Sequence, residues 1–393
     1  MSEGGDRPRL KQQSTKSELI APYRLAIPEA ELDDLRMRLA RTRWPERETV
    51  EGWGQGVPLA RARALVDYWR DHYDWRACEA RLNALGQFRT TIDGTGVHFL
   101  HARSPEPDAL PLIVTHGWPG SVVEFLKVIG PLTDPGAHGG NPRDAFHVVV
   151  PSLPGYGFSD RPTDRWPIER IAAAWIVLMK RLGYARFVAQ GGDWGSAVTS
   201  AIGASGDPAV AGIHVNMIVA PPSRDDIDSA TPEEQRALAA LRRYMSDGNG
   251  YARQQATRPQ TLGYGLTDSP AGQAMWIYEK FYEWSDCGGD PLNVLTMDEV
   301  IDDIMLYWLP GAAASAGRLY WESFSRFAAA RVELPVACSL FPKEIMQTSR
   351  RWAERRYPNI VYWGEPPRGG HFAAFEQPEL FVRELRDGFR PMR

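Results

Sequence analysis

The sequence predicts an α/β fold in which helices flank a mostly parallel sheet, with a helical insertion late in the chain. Short apolar runs such as "PLIVTHGW" and "FHVVVPSL" are continuous rather than alternating, which is typical of strands buried on both faces. A helical segment, residues 168–183, separates the second of these runs from a third, "RFVAQGGDW". Alternating strands and helices indicate βαβ units, and therefore parallel strands.

The N-terminal part is predicted to be a disordered polar tail, residues 1–20, followed by a helical arm. Leu32, Leu35 and Leu39 fall on one face of a first helix. A second helical pattern covers residues 58–85. The arm contains no convincing catalytic motif.

From Phe88 onwards the apolar residues change from a helical spacing to one typical of strands. Two strands joined at Asp93-Gly94 form a predicted hairpin. Gly183 is a plausible C-terminal cap for the later helix. The apolar stripe of that helix consists of Ile168, Ile171, Ala172, Trp175, Met179 and Leu182. Strand signals stop near residue 222 and resume in "VELPVACSLF" and "NIVYWGE".

The aromatic-rich helical stretch between these strand signals is predicted to be a lid over the C-terminal ends of the strands. The predicted divisions are residues 1–87 for the tail and arm, 88–222 for the first part of the core, 223–327 for the lid and 328–393 for the second part of the core.

Composition excludes several classes of partner. Among 393 residues, 43% are hydrophobic and 24% charged, as in an ordinary globular protein. The net charge of -4 gives no reason to expect nucleic acid or an anionic membrane. The polar N-terminus contains no apolar segment of the kind found in a signal peptide. With three widely spaced cysteines that form no C-x-x-C pair, we expect reduced, buried thiols in a cytoplasmic protein.

The stretch "QGGDWGS" has the glycine spacing of a nucleophile elbow, with Asp193 where a serine is usual. Gly191 and Gly195 flank it, after an apolar run and before a helix. The structural alternative is an aspartate that caps the helix. A carboxylate nucleophile suits displacement at saturated carbon, which gives an alkyl-enzyme ester, and that ester then needs a general base to activate water.

His371 is the histidine best placed to be this base, because it follows the last strand and precedes the final helix. Glu344 follows the strand run "VELPVACSLF" and could be the acid that orients the His371 imidazole. Asp225 and Asp226, which follow an earlier strand, are the alternative acids. Six other histidines are predicted to be core or surface residues: His72, His98, His101, His138, His147 and His214. No histidine has metal-ligand spacing, so we expect neither a metal nor a cofactor.

The turn "HGWPGS" after a buried strand is predicted to form an oxyanion hole. Its donors would be the backbone N–H groups of Trp118 and Trp194. The alternative is an ordinary Gly-Pro turn.

With these motifs in place, the chain resembles the epoxide hydrolases of the α/β-hydrolase superfamily, in the microsomal and juvenile-hormone branch. The resemblance covers nearly everything after the tail. The motifs that carry it include "TRWPE", "HGWPGS", "PSLPGYGFS", "GGDWGS", "FPKE" and "RGGHFAAFEQPEL".

The resemblance implies an α/β-hydrolase fold, with Asp193 as nucleophile, His371 as base and Glu344 as acid. It also implies two lid tyrosines that donate protons to the epoxide oxygen, Tyr251 in "GNGYARQQATRPQT" and Tyr320 in "GRLYWESF". Membrane-bound relatives have an N-terminal anchor, which the polar N-terminal stretch gives no reason to expect here. The lid also looks slightly shorter than theirs.

The expected substrates are water and a small apolar epoxide, aryl in character if the aromatic lid residues line the pocket. These residues are Trp276, Tyr278, Phe281, Tyr282, Trp284, Tyr307 and Trp308. The sequence is compatible with a role in detoxification and with one in natural-product (antibiotic) biosynthesis. A homodimer is a further hypothesis. The alternative functions are haloalkane dehalogenation and ligand binding without catalysis on the same fold.

Overall fold

A central sheet organises the protein in the computed structural model, which describes residues 19–328 and 331–393. The strands are β1 Ala21–Pro22, β2 Gln87–Ile92, β3 Thr95–Ala102, β4 Leu110–Thr115, β5 Phe146–Pro151, β6 Phe187–Gly191, β7 Val210–Val215, β8 Val336–Ser339 and β9 Ile360–Gly364. Across the sheet their order is β1-β2-β3-β5-β4-β6-β7-β8-β9. The first three strands and the β3–β5 pair are antiparallel, and the remaining pairs are parallel. The predicted α/β class is therefore confirmed.

The helices form three groups. In the N-terminal arm they are α1 Glu29–Ala40, α2 Leu59–Asp71 and α3 Trp75–Ala84. In the core they are α4 Leu126–Thr133, α5 Ile168–Arg181, α6 Asp193–Gly203, α14 Arg350–Arg356, α15 Ala373–Glu376 and α16 Pro378–Phe389. In the insertion between β7 and β8 they are α7 Arg224–Asp228, α8 Pro232–Arg243, α9 Gly250–Thr257, α10 Pro259–Asp268, α11 Pro270–Trp284, α12 Met297–Trp308 and α13 Ala313–Ser323.

The arm follows its sequence pattern with one difference. Leu32, Leu35 and Leu39 are buried, as predicted. The second predicted helical pattern is divided into α2 and α3, because Asp74 caps a new helix by accepting the N–H of Arg76 at 2.9 Å. Of the tail predicted to be disordered, residues 1–20, the first eighteen lie outside the described residues.

The arm packs against the insertion through a buried carboxylate. Asp302 in α12 accepts a hydrogen bond from the Tyr73 hydroxyl at 2.7 Å and pairs with Arg81. The Tyr68 hydroxyl donates to Asp298 on the same helix at 2.9 Å. The arm is thus bonded to the insertion, although the two are far apart in sequence.

The core helix α5 shows how apolar periodicity becomes packing. Trp175 and Met179 are fully buried, whereas Val177 between them is 37% exposed. Gly183 has φ +86°, in the left-handed region that glycine favours, so its predicted capping position is confirmed. Leu182 is only half-buried, because the helix has ended there. The three cysteines are free and buried, as expected.

We expect Met179→Ala to lower the free energy of unfolding by about 2–5 kcal/mol, because it removes a buried side chain and leaves a cavity. Val177→Ala on the opposite face of α5 is the control, with an expected change of about 0.5 kcal/mol or less. Urea denaturation followed by circular dichroism measures both. Equal effects of the two variants would contradict the assigned packing.

Candidate active site

The chain makes a tight turn between β6 and α6, and Asp193 lies at its apex. Asp193 has φ +49°, a left-handed conformation that is rare for a residue other than glycine. A Cβ atom on Gly191 would lie 2.1 Å from the Gly195 carbonyl oxygen, and one on Gly195 would lie 1.9 Å from that of Thr115. The glycine spacing therefore reflects a steric requirement for close backbone approach.

Two backbone N–H groups donate to the Asp193 carboxylate. Its Oδ1 accepts the N–H of Trp118 at 2.7 Å, and the N–H of Trp194 also donates to the carboxylate. Burial raises the pKa of Asp193, while His371 and these two donors oppose the rise. Both residues predicted to form an oxyanion hole therefore have their N–H groups at the elbow.

His116 holds the turn that carries Trp118. Its Nδ1 lies 2.9 Å from the Gly117 carbonyl, which can only accept, so this nitrogen carries the proton. Its Nε2 accepts the N–H of Leu153 at 3.1 Å. Burial lowers the pKa of His116 to about 4, so the imidazole stays neutral and fixes the turn.

His371 lies between two carboxylates. Its Nδ1 lies 2.7 Å from Glu344 Oε1, and its Nε2 lies 3.6 Å from Asp193 Oδ2. Burial lowers the pKa of His371, but the negative charge of Glu344 outweighs this and, with Asp193, raises it to about 9. The backbone N–H of His371 donates to the Trp284 carbonyl in α11 at 2.9 Å, which fixes the loop against the insertion.

The alternative acids lie in a different setting. Asp226 forms a capping box with Ser223 at the start of α7 and pairs with Arg355 at 2.5 Å. Asp225 lies in the first turn of the same helix. The structure brings Glu344, and neither of these aspartates, into hydrogen-bond contact with His371.

The two predicted tyrosines approach the elbow from the insertion. The ring centroids of Tyr251 and Tyr320 are 5.9 Å apart. The Trp118 indole stacks on Tyr251 at 5.0 Å and meets Tyr320 edge-on at 5.9 Å. Burial raises the pKa of both phenols well above the usual value, so both keep their protons at neutral pH. The Tyr251 and Tyr244 hydroxyl oxygens are 3.1 Å apart, and among the described residues no acceptor meets the Tyr320 hydroxyl.

The aromatic residues of the insertion are divided between the site and packing elsewhere. Trp284 contacts both Tyr251 and His371, with ring centroids 5.1 Å from each. Trp276 meets Trp118 edge-on. Away from the site, Tyr278 and Tyr282 pack on Trp53 of the arm and Trp308 lies near Arg38. Phe281 and Tyr307 instead contact residues that line the site, because Phe281 packs on Phe372 and Tyr307 donates to the Gly120 carbonyl.

Two charged residues near the site were not singled out from the sequence. Glu124 lines the same cavity as Asp193 and His371. Lys280 Nζ lies 4.8 Å from the centroid of the Tyr251 ring. The available signal was a charged residue inside an aromatic or apolar run, "VVEF" for the first and "WIYEKFYEW" for the second.

Comparison with known proteins gives two matching family models. "Epoxide hydrolase N terminus" matches residues 20–125, and "alpha/beta hydrolase fold" matches residues 111–267. A Stigmatella aurantiaca protein named "Putative epoxide hydrolase" is 56% identical, over 95% of this chain and 86% of its own length. This chain belongs to the epoxide hydrolase family.

More distant epoxide hydrolases share the whole architecture. Epoxide hydrolase 1 of Sus scrofa is 31% identical, over 98% of this chain and 92% of its own length. The crystal structure of juvenile hormone epoxide hydrolase from Bombyx mori superposes with a TM-score of 0.88 at 30% identity, covering 96% of this chain and 95% of that one. The resemblance inferred from motifs is confirmed, and the activity of the chain is epoxide hydrolysis. Within the described residues, no helix is both long and apolar enough to cross a membrane.

We expect Gly195→Ala to destabilise this epoxide hydrolase by about 1–3 kcal/mol or more, because the new methyl group would overlap the Thr115 carbonyl, which belongs to β4 and cannot move aside. Gly265→Ala is the matched control. It lies in α10 with no atom within 4 Å of an added Cβ, so a gain of about 0.5–1 kcal/mol is expected. Thermal unfolding measures both, and a neutral Gly195→Ala would contradict the close contact.

Proposed function

We propose that this epoxide hydrolase opens its substrate through a covalent alkyl-enzyme ester on Asp193. The proposal rests on the Asp193 carboxylate, because its two oxygens face different partners. Asp193 Oδ1 accepts the N–H of Trp118, while Oδ2 is directed towards His371 at 3.6 Å. Oδ2 is then the attacking atom, and Oδ1 becomes the oxyanion when water later attacks the ester.

In the first half-reaction, Oδ2 displaces the epoxide oxygen from a saturated carbon. The departing oxygen would be a strongly basic alkoxide, so it needs a proton donor as the bond breaks. Tyr251 and Tyr320 are neutral and close together, on the insertion side of Asp193. In this proposal one phenol gives its proton to the oxygen, and the other donates a hydrogen bond.

In the second half-reaction, His371 removes a proton from water, which attacks the ester carbonyl carbon. In the free enzyme, carboxylates hold the pKa of His371 at about 9, which favours the imidazolium form. Esterification removes the charge of Asp193, and the pKa of His371 should fall towards the range of a working base. The imidazolium then releases a proton to solvent, and it takes one back from solvent when the Asp193 carboxylate is regenerated. Glu344 keeps the imidazole oriented throughout and stabilises its charged form.

We further propose that residues 223–327 act as a lid and that the substrate is apolar, with an aryl group accommodated beside Trp284 and Trp276. A phenol pair suits an epoxide better than a halide, which leaves without protonation, so it favours epoxide over haloalkane chemistry. Detoxification and biosynthesis both fit such a pocket, and a screen of chiral epoxides would separate them.

With styrene oxide as substrate, we expect His371→Gln to form the ester at an unchanged rate but to hydrolyse it about 10²- to 10⁴-fold more slowly. Intact-protein mass spectrometry should show the protein plus one epoxide, and Asp193→Asn should show none. In oxygen-18 water, a single turnover of the wild type should give diol without label, because its new oxygen comes from Asp193. Label in that first diol would indicate direct attack by water.

Tyr251→Phe and Tyr320→Phe should each slow ester formation about 10²-fold, because each phenol stabilises the departing oxygen. Ester formation in the double variant should be slower still. Stopped-flow tryptophan fluorescence measures this step. Tyr278→Phe is the matched control, since that buried ring packs on Trp53 away from the elbow. An unchanged rate in both site variants would exclude them as donors.

A further inference from the structure

A third carboxyl group lies beside the nucleophile and the base, and the mechanism above does not use it. Glu124 belongs to the short 3-10 turn Val122–Phe125, directly after the turn that carries Trp118. Its apolar neighbours in that turn are buried in the core, and Glu124 itself is only 9% exposed. Burying an acid in an apolar segment costs free energy of folding unless the group is hydrogen-bonded, paired or protonated, so its presence here needs an explanation.

The backbone is shaped to admit this side chain. A Cβ atom on Gly120 would lie 1.5 Å from Glu124 Oε1, just as one on Gly117 would lie 2.2 Å from Asp193 Oδ1. Two glycines of a single turn therefore leave space for two carboxyl groups, one for the nucleophile and one for Glu124. The N–H of Ser121 donates to the Glu124 carboxyl and helps to hold it in place.

Glu124, Asp193 and His371 line one cavity of about 20 Å³. A space of roughly 10–15 Å³ suffices for one water molecule, which also needs two or more polar partners. The cavity is too small for an organic substrate. It provides the imidazole and two carboxyl groups as partners, next to the carbon that water must attack.

The carboxyl group of Glu124 can accept a hydrogen bond from a water molecule even when it is protonated. Burial raises its pKa to about 8, while His371 lowers it and Asp193 raises it further. Asp303 is a second buried acid near Glu124, and it accepts a hydrogen bond from Ser121 at 2.6 Å. Near neutral pH a protonated Glu124 still has a carbonyl oxygen that can accept a hydrogen bond from water.

We propose that Glu124 is a positioning residue that holds the hydrolytic water against His371, and so acts on the second half-reaction only. This inference rests on the proposed ester mechanism. The water donates one hydrogen to His371 Nε2 and the other to the Glu124 carboxyl, which leaves a lone pair directed at the ester carbon of Asp193.

The step balances without a further reagent. The water oxygen bonds to the ester carbon as its proton passes to His371, and the carbonyl electron pair moves to the oxyanion. The ester C–O bond to the substrate then breaks, and the diol oxygen takes the proton from His371. The proton left on the Asp193 carboxylic acid replaces the one that a tyrosine gave to the epoxide.

The test compares full-length Glu124→Met and Glu124→Gln with styrene oxide, with both half-reactions resolved by stopped-flow fluorescence. We expect ester formation to be unchanged in both variants. Hydrolysis should slow about 10- to 100-fold in Glu124→Met, because the water loses its second partner. Glu124→Gln keeps a carbonyl acceptor and should lose less than about fivefold. Acid-quenched samples of the Met variant should contain accumulated ester by mass spectrometry.

Glu384→Met is the matched control, because Glu384 is equally buried but bonds to Ser339 and Tyr362 outside the cavity. It should change stability without changing the ratio of the two rates. The proposal would be overturned if folded Glu124→Met hydrolysed the ester at the wild-type rate. It would also be overturned if either Glu124 variant slowed ester formation and ester hydrolysis equally. If Glu124→Met does not fold, Glu124→Gln decides: hydrolysis slowed as much as in His371→Gln would exclude a positioning role. Failure of His371→Gln to form any ester would instead overturn the underlying mechanism.

Discussion

The close approach of two backbone segments at the ends of neighbouring strands determines the rest of the site. Thr115 and Gly191 are paired in register at the ends of β4 and β6, and Gly195 packs directly against the Thr115 carbonyl. Because no side chain separates these segments, the turn that follows β4 reaches the residue that follows β6. The N–H of Trp118 can then meet Asp193 at 2.7 Å. Larger residues at these glycines would separate donor and acceptor.

The insertion is positioned from two directions around this fixed centre. From the core, the loop of His371 bonds to the Trp284 carbonyl. From the arm, Tyr73 and Arg81 bind the buried carboxylate of Asp302. The Trp118 indole, whose backbone N–H donates to Asp193, packs against the rings of Tyr251 and Tyr320. A single residue thus links the donors for the carboxylate to the phenols.

The electrostatics of the site depend on one imidazole among several carboxyl groups. Glu344, Asp193 and Glu124 all raise the pKa of His371 against the effect of burial. In the proposed mechanism this arrangement makes His371 responsive to the state of Asp193, because esterification would remove one of these charges. The same burial that raises the pKa of Glu124 leaves only a small cavity of about 20 Å³ beside it, which in the proposal above holds one bound water.

The sequence by itself determined the alternation of strands and helices along the chain, the steric form of the elbow, the glycine-rich turn after β4 and the family. These features are encoded locally, by periodicity and by glycines next to the residues they serve. The pattern of residues left Glu344, Asp225 and Asp226 open as the acid, because all three follow strands, and the family resemblance selected Glu344; the tertiary structure showed that Glu344 contacts His371. It likewise showed which aromatic residues contact the site, and that Glu124 shares a cavity with His371. Those contacts join residues that are distant along the chain, and no local pattern specifies which distant groups will meet.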